Sequence, residues 1–211
     1  AGPAARQARV AADVICGRDS RYRGTQGSAV VGVFGLTLAM TGASEKTLRR
    51  YGIPFEKSYT QSADHATYYP GSHPMVLKLL FSPGDGRVLG AQAVGRTGVE
   101  KRIDVLAMAI QKGATVFDLE EAELCYAPQF GSAKDPVNMA GFVAGNILRG
   151  DIEVVHWTDW QAKREAGESP LVLDVRLPGE AAAASVPDSI NSPLANCRAI
   201  AKSGSTAGAA S

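Results

Sequence analysis

The sequence predicts an α+β fold built on an antiparallel sheet, and three stretches carry that prediction. Residues 75–81 and 87–94 are apolar-rich runs joined by Ser82-Pro83-Gly84-Asp85-Gly86, a turn composition that folds them into a hairpin. Residues 98–112 place Val99, Ile103, Leu106, Ala107 and Ile110 on one stripe of a helix, with Glu100, Lys101, Arg102 and Asp104 facing water or a partner and Gly113 as the stop. Residues 135–150 start with Asp135 as N-cap and Pro136 in the first turn, carry Met139, Ala140, Val143, Ala144 and Ile147 at helical spacing, and end near Gly150.

Composition bounds the function. The 211 residues suit one large or two small domains, and 45% hydrophobic content supplies a packed core. Lys plus Arg (22) nearly balance Asp plus Glu (21), so a formal charge of +1 leaves no footprint for nucleic acid or an anionic membrane, and any anion site is local. Cys16, Cys125 and Cys197 are odd in number, widely spaced and without a CxxC, which argues against a disulfide framework or zinc site and for a reduced, cytoplasmic setting. No apolar run reaches membrane-spanning length, and the N-terminus, with neither an initiator Met nor a signal-peptide core, reads as the middle of a longer chain.

The remaining elements follow in order. Residues 3–15 align Ala4, Ala8, Ala11, Ala12 and Ile15 beside Arg6 and Arg9, a helix whose alanine face implies close packing and whose stop is Gly17. Ser20-Arg21-Tyr22-Arg23-Gly24-Thr25-Gln26-Gly27 is a basic turn that lacks the strand and lysine of a P-loop, so its glycines supply turn geometry. Residues 29–40 read as one buried strand closing at Gly42, and their glycine spacing is weak as a dinucleotide fingerprint. Residues 44–51 form a short helix capped by Ser44, and residues 55–61 a strand. His65 and His73 bracket an aromatic loop; with only Asp64 nearby they are hydrogen-bonding loop histidines rather than metal ligands. Residues 116–123 are a short helix whose Glu120, Glu121 and Glu123 form a solvated face or meet arginines of a second copy.

The stretch from Cys125 to Phe142 concentrates chemistry. Pro128 disfavours the helical region at the residue before it, so Tyr126 stands on a strand end or loop from which its ring projects. Lys134 precedes the Asp135 cap, beside a helix start whose N–H groups and dipole favour anions. On spacing alone, loop packing by Tyr126 and Phe130 with a solvated Lys134 is the favoured alternative.

Set together, Tyr22-Arg23-Gly24-Thr25-Gln26-Gly27, Thr67-Tyr68-Tyr69-Pro70-Gly71, Leu89-Gly90-Ala91-Gln92-Ala93-Val94-Gly95, Lys101-Arg102-Ile103-Asp104, and Tyr126-Ala127-Pro128 through Asp135-Pro136-Val137-Asn138-Met139-Ala140-Gly141 resemble the C-terminal dimerisation domain of flavoprotein pyridine nucleotide-disulfide oxidoreductases. Within that family the coenzyme A disulfide reductase and NADH oxidase branch is the nearest match, over residues 20–150. The resemblance implies a sheet with helices on one side and a homodimer, in which Tyr68 (or Tyr69) and Tyr126 reach the other subunit's redox cysteine and bound thiol. It implies that Lys134 lies toward coenzyme A phosphates, with Arg6 and Arg9 as further candidates for that ligand. Residues 1–19 are similar to the last helix of an FAD-binding domain, whose N-terminus, here Ala4 and Ala5, lies near the flavin. None of the three cysteines matches the redox cysteine.

Past Gly150, Thr158 is a plausible cap after His156-Trp157, and Leu171-Val172-Leu173-Asp174-Val175-Arg176 reads as a short buried strand. With Pro178-Gly179-Glu180 and Val186 through Leu194, residues 151–200 are similar to the start of a rhodanese domain, without its cysteine loop, and residues 201–211 read as a flexible tail. The resemblance thus implies the C-terminal part of an FAD- and NAD(P)H-dependent enzyme that reduces a small-molecule disulfide, a polysulfide or oxygen, with no cofactor or metal expected on this part alone. The alternative is a stand-alone dimeric interaction module without redox activity.

Overall fold

A computed structural model of the chain describes residues 2–168 and 170–196, so Cys197 and residues 201–211 lie outside the described residues. The chain divides into two compact units, Ala1–Glu153 and Val154–Ser211.

The first unit is built on a five-stranded antiparallel sheet in the order β1-β2-β5-β4-β3, from β1 (Ala29–Val33), β2 (Leu36–Gly42), β3 (Glu56–Ala63), β4 (Pro74–Phe81) and β5 (Val88–Gly95). Strand periodicity sorts each strand's residues onto two faces. Met75, Leu77, Leu79 and Phe81 of β4, with Ala91 and Ala93 of β5 and Ala39 of β2, make the buried face. It is covered by α3 (Val99–Lys112) and α5 (Pro136–Arg149), which bring Val99, Ile103, Leu106, Val137, Ala140 and Ala144 into the same core. This is the predicted α+β architecture, with its main helices on one side. On the opposite face Val31, Leu38, Val94 and Val76 line up across four strands, and beside them Met40, Gln92, Lys78 and Tyr59. The short α2 (Glu45–Arg50), capped by Ser44, meets that face through Glu45, which bonds Lys57 and Lys78.

Three expectations for this unit are corrected. Residues 29–40 are not one buried strand: Phe34 and Gly35, with φ of 48° and 78°, form a two-residue turn between β1 and β2, and every residue of β1 is exposed. Arg102 does not face water; at 2% exposure it is among the most buried side chains. The buried face of α5 is Val137, Ala140, Gly141, Ala144 and Gly145, because the two glycines let α4 (Val116–Glu120) approach; Met139 and Val143 are turned partly outward. The helix α1 (Gly2–Ile15) forms as predicted, and its alanine face is left without a packing partner among the described residues, since none of the helix is buried.

The second unit holds α6 (Trp157–Glu165), β6 (Leu173–Asp174), α7 (Pro178–Ala183) and β7 (Ile190–Asn191), with β6 and β7 paired in parallel across α7. The α6 cap is His156 rather than Thr158, since the N–H groups of Asp159 and Trp160 both reach the His156 carbonyl. Residues 171–176 supply only a two-residue strand, and its Leu173 is exposed. Trp157 stacks on Trp160 at 4.7 Å, and Arg164 lies over Trp160 while reaching Asp188 at 3.1 Å.

Candidate functional site

Two loops of the first unit converge, one between β3 and β4 and one between α4 and α5, and each contributes a tyrosine. The hydroxyls of Tyr68 and Tyr126 lie 2.9 Å apart. Both rings are exposed, and Tyr126 stands in the irregular chain that Pro128 enforces. Tyr69, the alternative partner, instead meets His65 edge-on at 6.0 Å.

Backbone bonds tie the loops together. The Ala66 N–H is shared between the carbonyls of Pro128 (3.2 Å) and Gly131 (3.0 Å), and a tight turn brings the Phe130 and Gly131 N–H groups to the Ala127 carbonyl. Asp64, at the loop's base, accepts from the His73 N–H at 2.9 Å and from the Thr97 hydroxyl, and faces His65 Nδ1 at 2.9 Å. Burial opposes its charge, but these bonds, led by that of Thr97, hold its carboxyl below the ordinary range. His65 also contacts the Pro70 carbonyl at 3.3 Å, so this histidine is a hydrogen-bonding loop residue.

Beneath the loops lies a buried ion pair. Arg102 of α3 grips both carboxylate oxygens of Asp135, with Nε 3.2 and 3.1 Å away and Nη2 at 2.8 Å. Asp135 simultaneously caps α5 by accepting from the Val137 N–H, and its own N–H donates to Asn138 Oδ1. Asn138 also donates to the carbonyls of Leu119 and Ala122, fixing the chain that leads to Tyr126.

Two hydroxyls in a mutual bond spend one proton on each other and keep one to donate elsewhere. The bond from Tyr68, aided by slight desolvation, holds the Tyr126 phenol above its ordinary value, so it is protonated at neutral pH. The pair therefore presents a neutral O–H donor and phenolic acceptors to a ligand. Among the described residues, no group of three His, Cys, Asp or Glu could hold a metal ion, and no helix is long and apolar enough to cross a membrane.

The other site candidates engage different neighbours. Lys134 is exposed with its Nζ 5.9 Å from the Phe142 ring centroid, and the α5 end it flanks is already capped by Asp135, so its pull on an anion comes from its own charge. Arg6 lies over Tyr22 and Arg9 faces Asp13 at 3.7 Å, while Ala4 and Ala5 are exposed on α1. Sequence reasoning missed Arg102 and Asp64. The available signal was position: Arg102 falls three residues after Val99 and four before Leu106, on the apolar stripe itself.

A family model of the pyridine nucleotide-disulphide oxidoreductase dimerisation domain matches residues 28–136. Coenzyme A disulfide reductase of Staphylococcus aureus (strain bovine RF122 / ET3-1) is 39% identical over 140 residues, which cover 66% of this chain and 32% of that protein. The crystal structure of reduced Bacillus anthracis CoADR-RHD superposes with a TM-score of 0.88 at 45% identity, covering 93% of this chain and 35% of that one. An NAD-dependent persulfide reductase from A. fulgidus superposes with a TM-score of 0.81 at 34% identity, covering 92% and 34%. The chain thus spans about a third of the length of the relatives it matches.

Proposed function

The chain belongs to the pyridine nucleotide-disulphide oxidoreductase family through its dimerisation domain, and from that membership we propose that it forms the homodimer of an FAD-dependent NAD(P)H oxidoreductase and lends Tyr68 and Tyr126 to the other copy's active site. The 2.9 Å contact between these two hydroxyls, joining residues far apart in sequence, is the observation that carries the reading.

The substrate class is a small-molecule disulfide of the coenzyme A type, or a persulfide, polysulfide or oxygen. Names among the relatives support the sulfur compounds: coenzyme A disulfide reductase and persulfide reductase. When bound, FAD supplies two-electron transfer from NAD(P)H to the disulfide. The described residues of this chain do not build a cradle for it: α1 has no buried residue and its arginines turn to Asp13 and Tyr22, so the chain offers an edge of that site only. What this chain contributes is the phenol pair. Its free O–H donates to the sulfur that gains negative charge as the S–S bond breaks, and can pass it the proton that completes a thiol. In this reading Lys134 serves the coenzyme A phosphates as a point charge, and Arg6 and Arg9 join it only by leaving Tyr22 and Asp13.

In this reading residues 1–19 end the FAD-binding domain, residues 20–150 are the dimerisation domain and residues 151–200 begin a rhodanese-like domain. The rhodanese-like reading is supported by the β6-α7-β7 parallel unit and by the 93% coverage of the chain in the B. anthracis match.

Replacing Tyr126 by Phe in the complete flavoprotein tests the proposal. Disulfide turnover is expected to slow by about 100-fold or more with FAD content unchanged. Unchanged turnover would leave Tyr126 as packing. The competing reading, a dimeric module without redox activity, predicts a dimer from an open reading frame that encodes no flavoprotein upstream.

A further inference from the structure

We infer that Arg102 is the positioning residue of the tyrosine pair: its guanidinium, anchored on Asp135, holds the Asp64 carbonyl and thereby sets the loop of Tyr68 against the loop of Tyr126. The inference rests on the reading of the pair given above.

Tyr68 and Tyr126 are 75% and 51% exposed, and their contact is a single bond between hydroxyls at the tips of side chains that stand largely clear of the core. Their separation is therefore decided by the two loop backbones. Arg102 reaches both. Nη2 donates to the Asp64 carbonyl at 2.7 Å, where the Tyr68 loop leaves β3, and the same nitrogen and Nε grip Asp135, where the Tyr126 loop enters α5. Nη1 closes on the Gly98 carbonyl at 3.1 Å, fixing the guanidinium to the start of its own helix. The Asp64 carboxylate extends the hold to the far arm of the Tyr68 loop through the His73 N–H and to the connection between β5 and α3 through the Thr97 hydroxyl.

The backbone is shaped around this group. Gly98 has φ of 66°, and a Cβ there would overlap Arg102 Nη1. A buried ion pair is a poor source of stability, because desolvating both charges offsets their attraction. It does fix geometry, and the planar fork of arginine satisfies three segments at once in a way an ammonium does not.

The test is Arg102→Lys in the complete flavoprotein, with the Tyr126 phenol followed by pH titration of tyrosine 13Cζ NMR signals and Tyr68→Phe as the reference for a broken pair. The titration is expected to move down to that of Tyr68→Phe, and kcat on the disulfide to fall roughly tenfold with FAD content and the KM for NAD(P)H unchanged. An unmoved titration overturns the inference whatever the turnover. A moved titration with full turnover upholds the positioning and instead removes the catalytic reading of the pair. Should Arg102→Lys not fold, Asp135→Asn decides: it keeps an oxygen to cap the Val137 N–H and removes the charge on which the guanidinium is anchored. A partial shift in the same direction supports the inference, and none overturns it.

Discussion

Glu45 gathers three cations, Lys78, Lys57 at 3.0 Å and Arg49 at 2.8 Å, on the face of the sheet away from α3 and α5. The bond from Lys78, opposed by burial and reinforced by Arg49 and Lys57, lowers its carboxyl from 4.5 to about 2. A folded value below the unfolded one means stability that is present above pH 4.5 and lost as pH falls from 4.5 toward 2. Urea unfolding across that window should show the loss, and Glu45→Gln should flatten it while costing about 1–2 kcal/mol at neutral pH. Single residues of this kind were the least legible in the sequence. Glu45 reads as an ordinary first-turn helix acid, because its partners Lys57 and Lys78 arrive from other strands. Arg102 reads as solvated by residue type although its spacing put it on the buried stripe, and its partner Asp135 was visible only in its capping role.

Among the elements, the β4–β5 hairpin, α3 and the capped α5 were readable because each is decided locally, by turn residues, apolar period and cap chemistry. The β1–β2 hairpin was not. Its turn puts Phe34 in a left-handed conformation that Asn or Asp ordinarily fills, so the usual two-residue signal is missing. The seam between α4 and α5 was equally hidden, because it depends on what two glycines face. A Cβ at Gly141 would lie 2.6 Å from the Glu120 nitrogen, which is backbone and cannot yield without moving α4. At Gly145 the obstacle is the tip of the Glu120 side chain, which can swing away. Gly141→Ala is therefore expected to destabilise by about 2 kcal/mol or more, whereas Gly145→Ala should be near neutral, its helix-propensity gain of about 1 kcal/mol offsetting the displaced side chain. Equal thermal shifts for the two variants would contradict this account of the seam.

At the scale of the whole molecule, the first unit has one face of its sheet sealed by helices and the other left with Val31, Leu38 and Val76 in water. An apolar sheet face of this kind, together with a family whose domain is defined by dimerisation, makes a homodimer the expected solution state. A dimeric mass by light scattering at high protein concentration is the expected result, and a monomeric mass would sink the assembly proposed above.

The Phe34-tipped hairpin adds a further consequence. An open five-stranded sheet ends in bare edges, and β1 is one of them, a run of Ala, Val and Gly with neither a charge nor a proline to blunt it. Unpaired N–H and C=O groups along such an edge are a template for another strand. Produced away from the rest of its relatives' length, the chain is thus prone to edge-to-edge accretion, and a lysine at Val31 would act as the gatekeeper that natural edge strands carry.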